Sequence, residues 1–441
     1  MCLRKRKGML SFECTESYNW YRRQLIGGAV TSIWQKDSSY SGTSSYPDFG
    51  FKYKTAEFCD FEKNILENSP AMAYHLSGYG LLENEALSSF LGESSERYAF
   101  ASISKTIAST VVVATRGELV SKWGEQRVCP LHLVNGYIFR RDMKNELRDD
   151  DKIRWVKMNS LIRPGDSVYL PLQFIMSGTG STFLGEKKFA PPAVSTGTAS
   201  QETVLKSLEN SVIEFLQINS FNLWWYAGIA GVRLETDLRS LFERHCGNEN
   251  KIESFLDHFD IRLTDISFDK DIDVVVCEAI GKTANVPQYV VGVQGALNLE
   301  TAEYRSVMEC LAVIEYAFHV PWTNRAAYES VTADTRFFGN LDDNVIFYSK
   351  YGKEAFPRVE RESPFTRTKK TYHPIATLSD FSWYAGFLDI TLPEFSGLNF
   401  AVTRVCIPEL LPMCLPSYPQ ACHPRYKTAG GIINDAPHPL A

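Results

Sequence analysis

The feature that most constrains this chain is a long helical pattern over residues 195–226, STGTASQETVLKSLENSVIEFLQINSFNLWWY. A turn of small residues, Ser195-Thr196-Gly197, opens the segment, and about five helical turns follow it. Apolar residues recur at spacings of three and four and predict a core-facing stripe of Val204, Leu205, Leu208, Val212, Phe215 and Leu216. The segment ends in an aromatic block that is typical of a core: Phe221, Trp224, Trp225 and Tyr226.

A polar stripe runs beside the apolar one. Asn210, Glu214 and Gln217 lie at offsets of zero, four and seven, which places them on one face of the helix. A carboxylate and two amides next to a buried stripe are costly to bury unless other groups satisfy them. We therefore expect other groups to bond to the polar side chains on this face of the helix.

Two further segments, residues 83–100 and 300–318, repeat these offsets and predict two more amphipathic helices. The polar positions of the first segment, at offsets of zero, four, seven and eight, are Ser89, Glu93, Glu96 and Arg97. The polar positions of the second, at zero and four, are Arg305 and Glu309, and its seventh offset is Ala312. Any one such helix is usually a solvated charged face.

Three carboxylates at one matching offset favour a different interpretation. Glu93, Glu214 and Glu309 would repel one another if they converged without a neutralising charge. The pattern therefore predicts that the three helices face one another around a shared, cation-rich centre.

Composition narrows the class of protein. The chain has 441 residues, 44% of them hydrophobic and 22% charged, which is typical of a globular protein. Its formal net charge of -6 argues against a general nucleic-acid binder. No apolar run approaches the roughly 20 residues that span a bilayer, so no membrane partner is expected. Ten scattered cysteines without a Cys-x-x-Cys pair favour reduced thiols and a cytoplasmic location.

The rest of the chain predicts one large domain at residues 66–441, preceded by an edge segment of strands and loops at residues 1–65. A glycine turn is expected at residues 75–80, a strand at 103–115 and a hairpin that turns at Pro164-Gly165. Further helices are expected at 236–246 and 251–259, and further strands at 273–276, 289–293, 386–391 and 400–407.

Taken in order, these segments resemble the YcaO family, specifically the cyclodehydratase subunits that form azoline rings in ribosomal peptides. Three segments are similar, in order, to the family's three ATP-binding helices: SSFLGESSERYAF, residues 195–226 and ETAEYRSVMECLA. GFLDITLPEFSGLNFAVTRVCIPELLPM and the tail HPRYKTAGGIINDAPHPLA are similar to its late motifs. The resemblance implies an α/β (α+β) fold with internally repeated helix–sheet units around a nucleotide site.

The resemblance also implies a ligand set for ATP and Mg²⁺. The nucleotide site would comprise Ser89, Glu93, Glu96, Arg97, Asn210, Glu214, Gln217, Arg305 and Glu309. Its metal-binding members would be Glu93, Glu96, Glu214 and Glu309. Mg²⁺ prefers oxygen ligands, and arginine adds a fork of donors for phosphate. The proline-containing tail would bring Pro437, Pro439 and Ala441 to the reacting amide as catalytic elements.

The chain departs from the family pattern at several positions. Tyr79 stands between Gly78 and Gly80 where the family commonly has a lysine, and Asn219 stands where an aspartate is usual. Ala312 replaces a polar residue, and the tail lacks the final proline of the family pattern. These departures remove a cation, an anion and a hydrogen-bonding side chain, which leaves room for weakened or lost ATP turnover.

The implied activity is ATP-dependent cyclodehydration of Cys, Ser or Thr in a precursor peptide to thiazoline or oxazoline. The implied partners are that peptide, a separate leader-binding protein and a dehydrogenase, and a homodimer is left open. One alternative is a degenerate structural or peptide-binding subunit without ATP turnover. Another keeps ATP chemistry but forms a thioamide or an amidine.

Overall fold

The structure is a computed structural model. It describes residues 4–6, 9–11, 33, 40–43, 50–57 and 75–441, except for 138–145, 177–182, 184, 192, 248–251, 270, 366–372 and 396. The boundary predicted between residues 65 and 66 lies outside the described residues, so the division into an edge segment and a domain stays a prediction.

The described residues form fifteen strands and twelve α-helices. The strands are β1 Arg4–Arg6, β2 Met9–Ser11, β3 Tyr40–Thr43, β4 Lys52–Glu57, β5 His75–Gly80, β6 Val111–Ala114, β7 Ile153–Ser160, β8 Ser167–Pro171, β9 Thr198–Gln201, β10 Val232–Leu234, β11 Phe259–Asp265, β12 Asp273–Gly281, β13 Tyr289–Ala296, β14 Gly386–Asp389 and β15 Ala401–Cys406. The α-helices are α1 Glu83–Ala101, α2 Ile103–Thr106, α3 Arg116–Trp123, α4 Leu172–Ile175, α5 Val204–Trp225, α6 Leu238–Cys246, α7 Ile252–His258, α8 Leu299–Thr323, α9 Arg325–Ser330, α10 Asp343–Tyr351, α11 Pro374–Thr377 and α12 Pro424–Thr428.

The three patterned segments fold as the long helices α1, α5 and α8, as predicted. The aromatic block at the end of α5 is buried, which confirms its place in the core. The predicted apolar stripe is wrong at its start, because Val204 is 38% exposed and Leu205 is 70% exposed. Both belong to the first turn of the helix, ahead of the buried stretch that begins at Ser207.

Antiparallel sheets surround these helices. One sheet has the order β10-β11-β12-β13, a second has β3-β4-β5, and a third has β6-β7-β14-β15-β9 with β8 paired to β7. Helix α5 packs against β9 and β15 of the third sheet and against β13 of the first. Helix α8 covers β12 and β13, and α1 covers β5 and reaches β9. The mixed class of helices and sheets is as predicted.

Several shorter elements test the sequence analysis. The hairpin with Pro164-Gly165 at its turn is confirmed as β7 and β8. The strand predicted over 103–115 is wrong for its first half, which forms α2 and a turn of 3-10 helix before β6 begins at Val111. The β-branched residues Ile103 and Ile107 are both buried, and their spacing of four suits a helix that continues α1.

The predicted glycine turn at residues 75–80 is also wrong, because these residues form strand β5. Gly78 lies against the middle of α1, where an added Cβ would meet the Phe90 backbone nitrogen at 2.1 Å. The glycine therefore allows strand and helix to approach closely, and it does not form a phosphate-binding turn.

Among the described residues, no helix has both the length and the apolar character needed to span a bilayer.

Candidate nucleotide site

Helices α1, α5 and α8 border one large cavity of about 860 Å³. Strands β9 and β13, the loop before β15 and the last two residues of the sequence complete its walls. All nine residues predicted to bind the nucleotide line it: Ser89, Glu93, Glu96, Arg97, Asn210, Glu214, Gln217, Arg305 and Glu309. The structure thus brings together residues that are as far as 220 positions apart in the sequence, and their role in nucleotide binding stays a prediction.

On α1, the polar side chains are tied to two neighbouring elements. The Arg97 Nε lies 3.6 Å from the Glu93 Oε1, one helical turn away. The Ser77 hydroxyl of β5 donates to the Glu93 Oε2 over 3.4 Å. The Arg97 guanidinium also donates to the Ser195 hydroxyl, in the loop before β9. These contacts orient α1 towards the cavity.

On α5, Glu214 meets a backbone group of the turn before β9, and Gln217 meets backbone groups of β13. The Gly197 N–H donates to the Glu214 Oε2 over 3.0 Å. The Gln217 amide donates to the Val293 carbonyl over 2.9 Å and accepts from the Gly295 N–H over 2.8 Å. Gln217 therefore borders the cavity while its amide pins α5 to β13.

On α8, Glu309 and Arg305 lie one helical turn apart on the face towards the cavity. The Gln294 amide of β13 donates to the Glu309 Oε2 over 2.7 Å. Glu309 is partly buried, whereas Arg305 is exposed. Arg305 therefore presents its charge at the open side of the cavity.

The four glutamates predicted to bind the metal share one electrostatic feature. Burial raises the pKa of Glu214 and that of Glu309 to about 7. Burial also raises the pKa of Glu93 and Glu96. The neighbouring Arg97 cation opposes these increases at Glu93, Glu96 and Glu214. The cavity would bind a further cation with favourable electrostatics, since that cation would stabilise the ionised carboxylates.

The chemistry of this set of side chains suits Mg²⁺ and a polyphosphate. Carboxylate oxygens are hard ligands for Mg²⁺, and the guanidinium groups of Arg97 and Arg305 suit phosphate oxygens. In the part of the chain that the structure describes, no three His, Cys, Asp or Glu side chains are grouped to hold a metal ion by themselves. Mg²⁺ at one or two of Glu93, Glu96, Glu214 and Glu309 would therefore complete its shell with phosphate and water.

The tail is buried along residues 436–440 and ends at the cavity. The Tyr348 hydroxyl donates to the Pro437 carbonyl over 2.6 Å, and the Asn344 amide donates to the carbonyls of His438 and Leu440 over 2.8 and 2.9 Å. Of the predicted catalytic residues, Ala441 lines the cavity, whereas Pro437 and Pro439 lie buried behind it. Their catalytic role stays a prediction.

Three of the departures from the family pattern do not line the cavity. Asn219 is buried, and its amide donates to the Asp269 Oδ2 over 2.7 Å. Ala312 packs against an apolar cluster beneath α8. Tyr79 stacks on Phe51 with ring centroids 5.8 Å apart. Burial raises the pKa of the Tyr79 phenol, and the Glu309 and Glu93 carboxylates raise it further, so this side chain is neutral.

The sequence analysis missed two residues of this region. Gln294 lines the cavity and holds Glu309. Arg404 is buried in β15, behind the loop that contacts Arg97 and Glu214. A signal was present in both strands, because Gln294 and Arg404 interrupt largely apolar runs, YVVGVQGA and AVTRVC.

The family comparison agrees with this geometry. A protein-family model described as YcaO cyclodehydratase, ATP- and Mg²⁺-binding, matches residues 77–411. This match covers well over half of the sequence, and the chain belongs to the YcaO cyclodehydratase family. No curated protein matches the sequence.

Solved structures share the fold. A heterocyclase in complex with substrate and cofactor has a TM-score of 0.62 at 16% identity, over 90% of this chain and 52% of that one. This chain thus spans about half the length of that heterocyclase chain. The microcin synthetase McbBCD complex of E. coli gives 0.58 at 14% identity, over 87% and 90% of the two chains. YcaO from Methanopyrus kandleri, bound with AMPPCP and Mg²⁺, gives 0.53 at 15% identity, over 91% of both chains.

Proposed function

We propose that this protein is an ATP-dependent cyclodehydratase that converts Cys, Ser or Thr residues of a ribosomal precursor peptide to thiazoline or oxazoline. The observation that carries the proposal is the convergence of Glu93, Glu96, Glu214 and Glu309 with two arginines, from α1, α5 and α8, on one cavity. Ala441 borders the same cavity. Membership of a cyclodehydratase family described as ATP- and Mg²⁺-binding supports the same reaction class.

In the proposed reaction, the side-chain thiol or hydroxyl of the peptide attacks the carbonyl carbon of the preceding amide. The resulting oxyanion takes the γ-phosphoryl group of ATP and leaves as phosphate, so the products are the azoline, ADP and phosphate. Bound Mg²⁺ would neutralise charge on the phosphate oxygens during this transfer. The oxygen lost from the peptide is thus carried away in phosphate.

The contribution of the chain is positioning and charge stabilisation. Glu93, Glu96, Glu214 and Glu309 would hold the metal, and Arg97 and Arg305 would bind phosphate oxygens. The tail would place Ala441 beside the reacting amide, since its buried prolines and the bonds from Asn344 fix its course at low entropic cost.

The proposal includes a precursor peptide, a separate leader-binding protein, and a dehydrogenase that would oxidise azolines to azoles. The likeness to the microcin synthetase McbBCD complex, also solved with pro-MccB17 bound, supports an assembly of this kind. We place the protein in the cytoplasm, where these partners would be made.

The test is a reconstitution with the precursor peptide and partner proteins encoded by neighbouring genes. Mass spectrometry should find the loss of one water per ring, with ADP and phosphate released in step. A glutamine variant at Glu214 should lose both signals. Tight peptide binding without water loss or ADP release would favour the degenerate subunit instead, and oxygen replacement by sulfur or nitrogen would favour thioamide or amidine formation.

A further inference from the structure

Arg404 is a buried cation in the middle of strand β15. It is only 3% exposed, and its guanidinium lies over the Phe100 ring at 4.9 Å from the ring centroid. Burying a guanidinium is costly unless its N–H groups are bonded. The contacts of Arg404 therefore indicate what the residue does.

The guanidinium bonds to one short stretch of backbone ahead of β9, which we call the 194–198 segment. It donates to the Val194 carbonyl over 3.1 Å, to the Thr198 hydroxyl over 3.0 Å and to the Thr196 carbonyl. Its Nε donates to the Ile175 carbonyl at the end of α4, over 3.0 Å. Arg404 thus fastens the 194–198 segment to α4 and to its own strand.

The same segment supplies contacts to the candidate nucleotide site. Its Ser195 hydroxyl accepts a hydrogen bond from the Arg97 guanidinium, and its Gly197 N–H donates to the Glu214 carboxylate. Arg404 itself does not line the cavity, whereas Arg97 and Glu214 do. The segment therefore bonds to the buried arginine on one side and to the two cavity side chains on the other.

The conformation of the segment needs this support. Gly197 has a φ of 83°, and an added Cβ would lie 2.5 Å from the Val405 carbonyl oxygen. The Thr198 N–H donates to the Ser195 carbonyl, which makes a tight turn of the segment. The planar fork of an arginine reaches carbonyls in several directions at once, which a lysine ammonium on a flexible stem does not reproduce.

We propose that Arg404 is a positioning residue, which holds the 194–198 segment so that Ser195 and Gly197 order Arg97 and Glu214 for Mg²⁺–nucleotide binding. This inference rests on the proposed function, because it assigns the cavity to a nucleotide.

The experiment compares Arg404→Met and Arg404→Lys with a matched control, Arg116→Met. Arg116 is also buried and donates to a backbone carbonyl, that of Cys129 over 3.2 Å, but it does not line the cavity or contact the 194–198 segment. Binding of AMPPCP with Mg²⁺ is measured by calorimetry, and hydrogen exchange of residues 195–198 by mass spectrometry.

We expect Arg404→Met to raise the Kd for Mg²⁺–AMPPCP by roughly 10- to 100-fold relative to Arg116→Met, as for outer residues that orient metal ligands. Arg404→Lys should recover part of the affinity, and exchange at 195–198 should quicken in Arg404→Met alone. Equal affinity in Arg404→Met and Arg116→Met would overturn the inference.

Absence of nucleotide binding by the unmodified protein would instead count against the proposed function. In that case hydrogen exchange still tests whether Arg404 holds the 194–198 segment. Unchanged exchange at residues 195–198 in Arg404→Met would overturn the inference.

Discussion

Asn219 shows how a departure from the family pattern can be a local adjustment. The Asp269 carboxylate accepts from the Asn219 amide over 2.7 Å and from the Arg425 guanidinium over 2.5 Å. The Leu411 N–H donates to the Asn219 Oδ1 over 3.3 Å. An aspartate at this position would lose the donor and face another carboxylate, so the asparagine matches its surroundings.

Restoring the family residue, Asn219→Asp, should therefore destabilise the protein. A lost buried donor and two facing carboxylates should lower the free energy of unfolding by about 1–3 kcal/mol at pH 7. Urea unfolding measures the change, and adding Asp269→Asn should recover most of it. Asn298→Asp is the control, because Asn298 caps α8 and aspartate caps a helix equally well. Full stability of Asn219→Asp would contradict this account.

A second prediction for a single residue concerns Glu309 and the pH dependence of stability. Burial raises the pKa of Glu309 to about 7 in the folded protein, above its ordinary value of 4.5. The folded state thus favours the neutral form, and ligand-free stability falls as pH rises from about 4.5 to 7. Glu309→Gln should therefore be stabilised relative to the unmodified protein at pH 8. This gain in the free energy of unfolding should be on the order of 1–3 kcal/mol larger at pH 8 than at pH 5. Unfolding curves at both pH values, measured without nucleotide, test this. The same difference in free energy of unfolding between variant and unmodified protein at pH 5 and at pH 8 would contradict it.

At the scale of elements, Gln217 joins α5 to β13. Its amide donates to the Val293 carbonyl and accepts from the Gly295 N–H, so the side chain spans helix and strand beside the cavity. Gln217→Met should leave both backbone groups without this partner and lower the free energy of unfolding by about 1–3 kcal/mol. Thermal and urea unfolding test this, with Gln201→Met on partly exposed β9 as the control. Equal stability of the two variants would contradict the role of Gln217.

The long helices could be predicted from the sequence because each carries its own periodic signal over many turns. The matching offsets of Glu93, Glu214 and Glu309 predicted that three helix faces meet, and all three residues line one cavity. The strand at residues 75–80 could not be predicted in this way. Its glycines are explained by α1, which passes within 2.1 Å of the position of an added Cβ at Gly78, and a close approach of this kind leaves no local signal.

Arg404 and Gln294 were missed for a related reason. Each is a polar or charged residue within a largely apolar strand, and its partners come from other elements of the fold. The pattern of one strand indicates that such a residue needs a partner, but not which one. The contacts of Gln217 could not be predicted either, because a polar side chain on a helix can bond equally well to a ligand or to the backbone of a neighbouring strand.

At the scale of the whole molecule, the tail connects the core to the cavity. The burial of His438 and Leu440 means that removal of the whole tail would disturb the core as well as the site. Removal of only Leu440 and Ala441 keeps the bonds of Tyr348 to Pro437 and of Asn344 to His438.

We expect the chain that ends at Pro439 to bind Mg²⁺–nucleotide normally and to lose ring formation, because we propose that Ala441 borders the reacting amide. Leu440→Ala, which keeps Ala441, is the control and should retain ring formation. Mass spectrometry of the precursor peptide is the measurement. Complete water loss with the shortened chain would rule out a catalytic role for the tail.

We propose above that the cavity between α1, α5 and α8 holds a nucleotide through Mg²⁺. Calorimetric titration with AMPPCP tests it most directly, in the presence and absence of Mg²⁺, on the unmodified protein and on Glu93→Gln and Glu214→Gln. Glu243→Gln, on the exposed side of α6, is the matched control.

The account predicts saturable binding only with Mg²⁺, a Kd raised roughly 10- to 100-fold or more in both cavity variants, and no change in the control. Nucleotide binding that is indifferent to Mg²⁺, or equal affinity in Glu93→Gln, Glu214→Gln and Glu243→Gln, would contradict it.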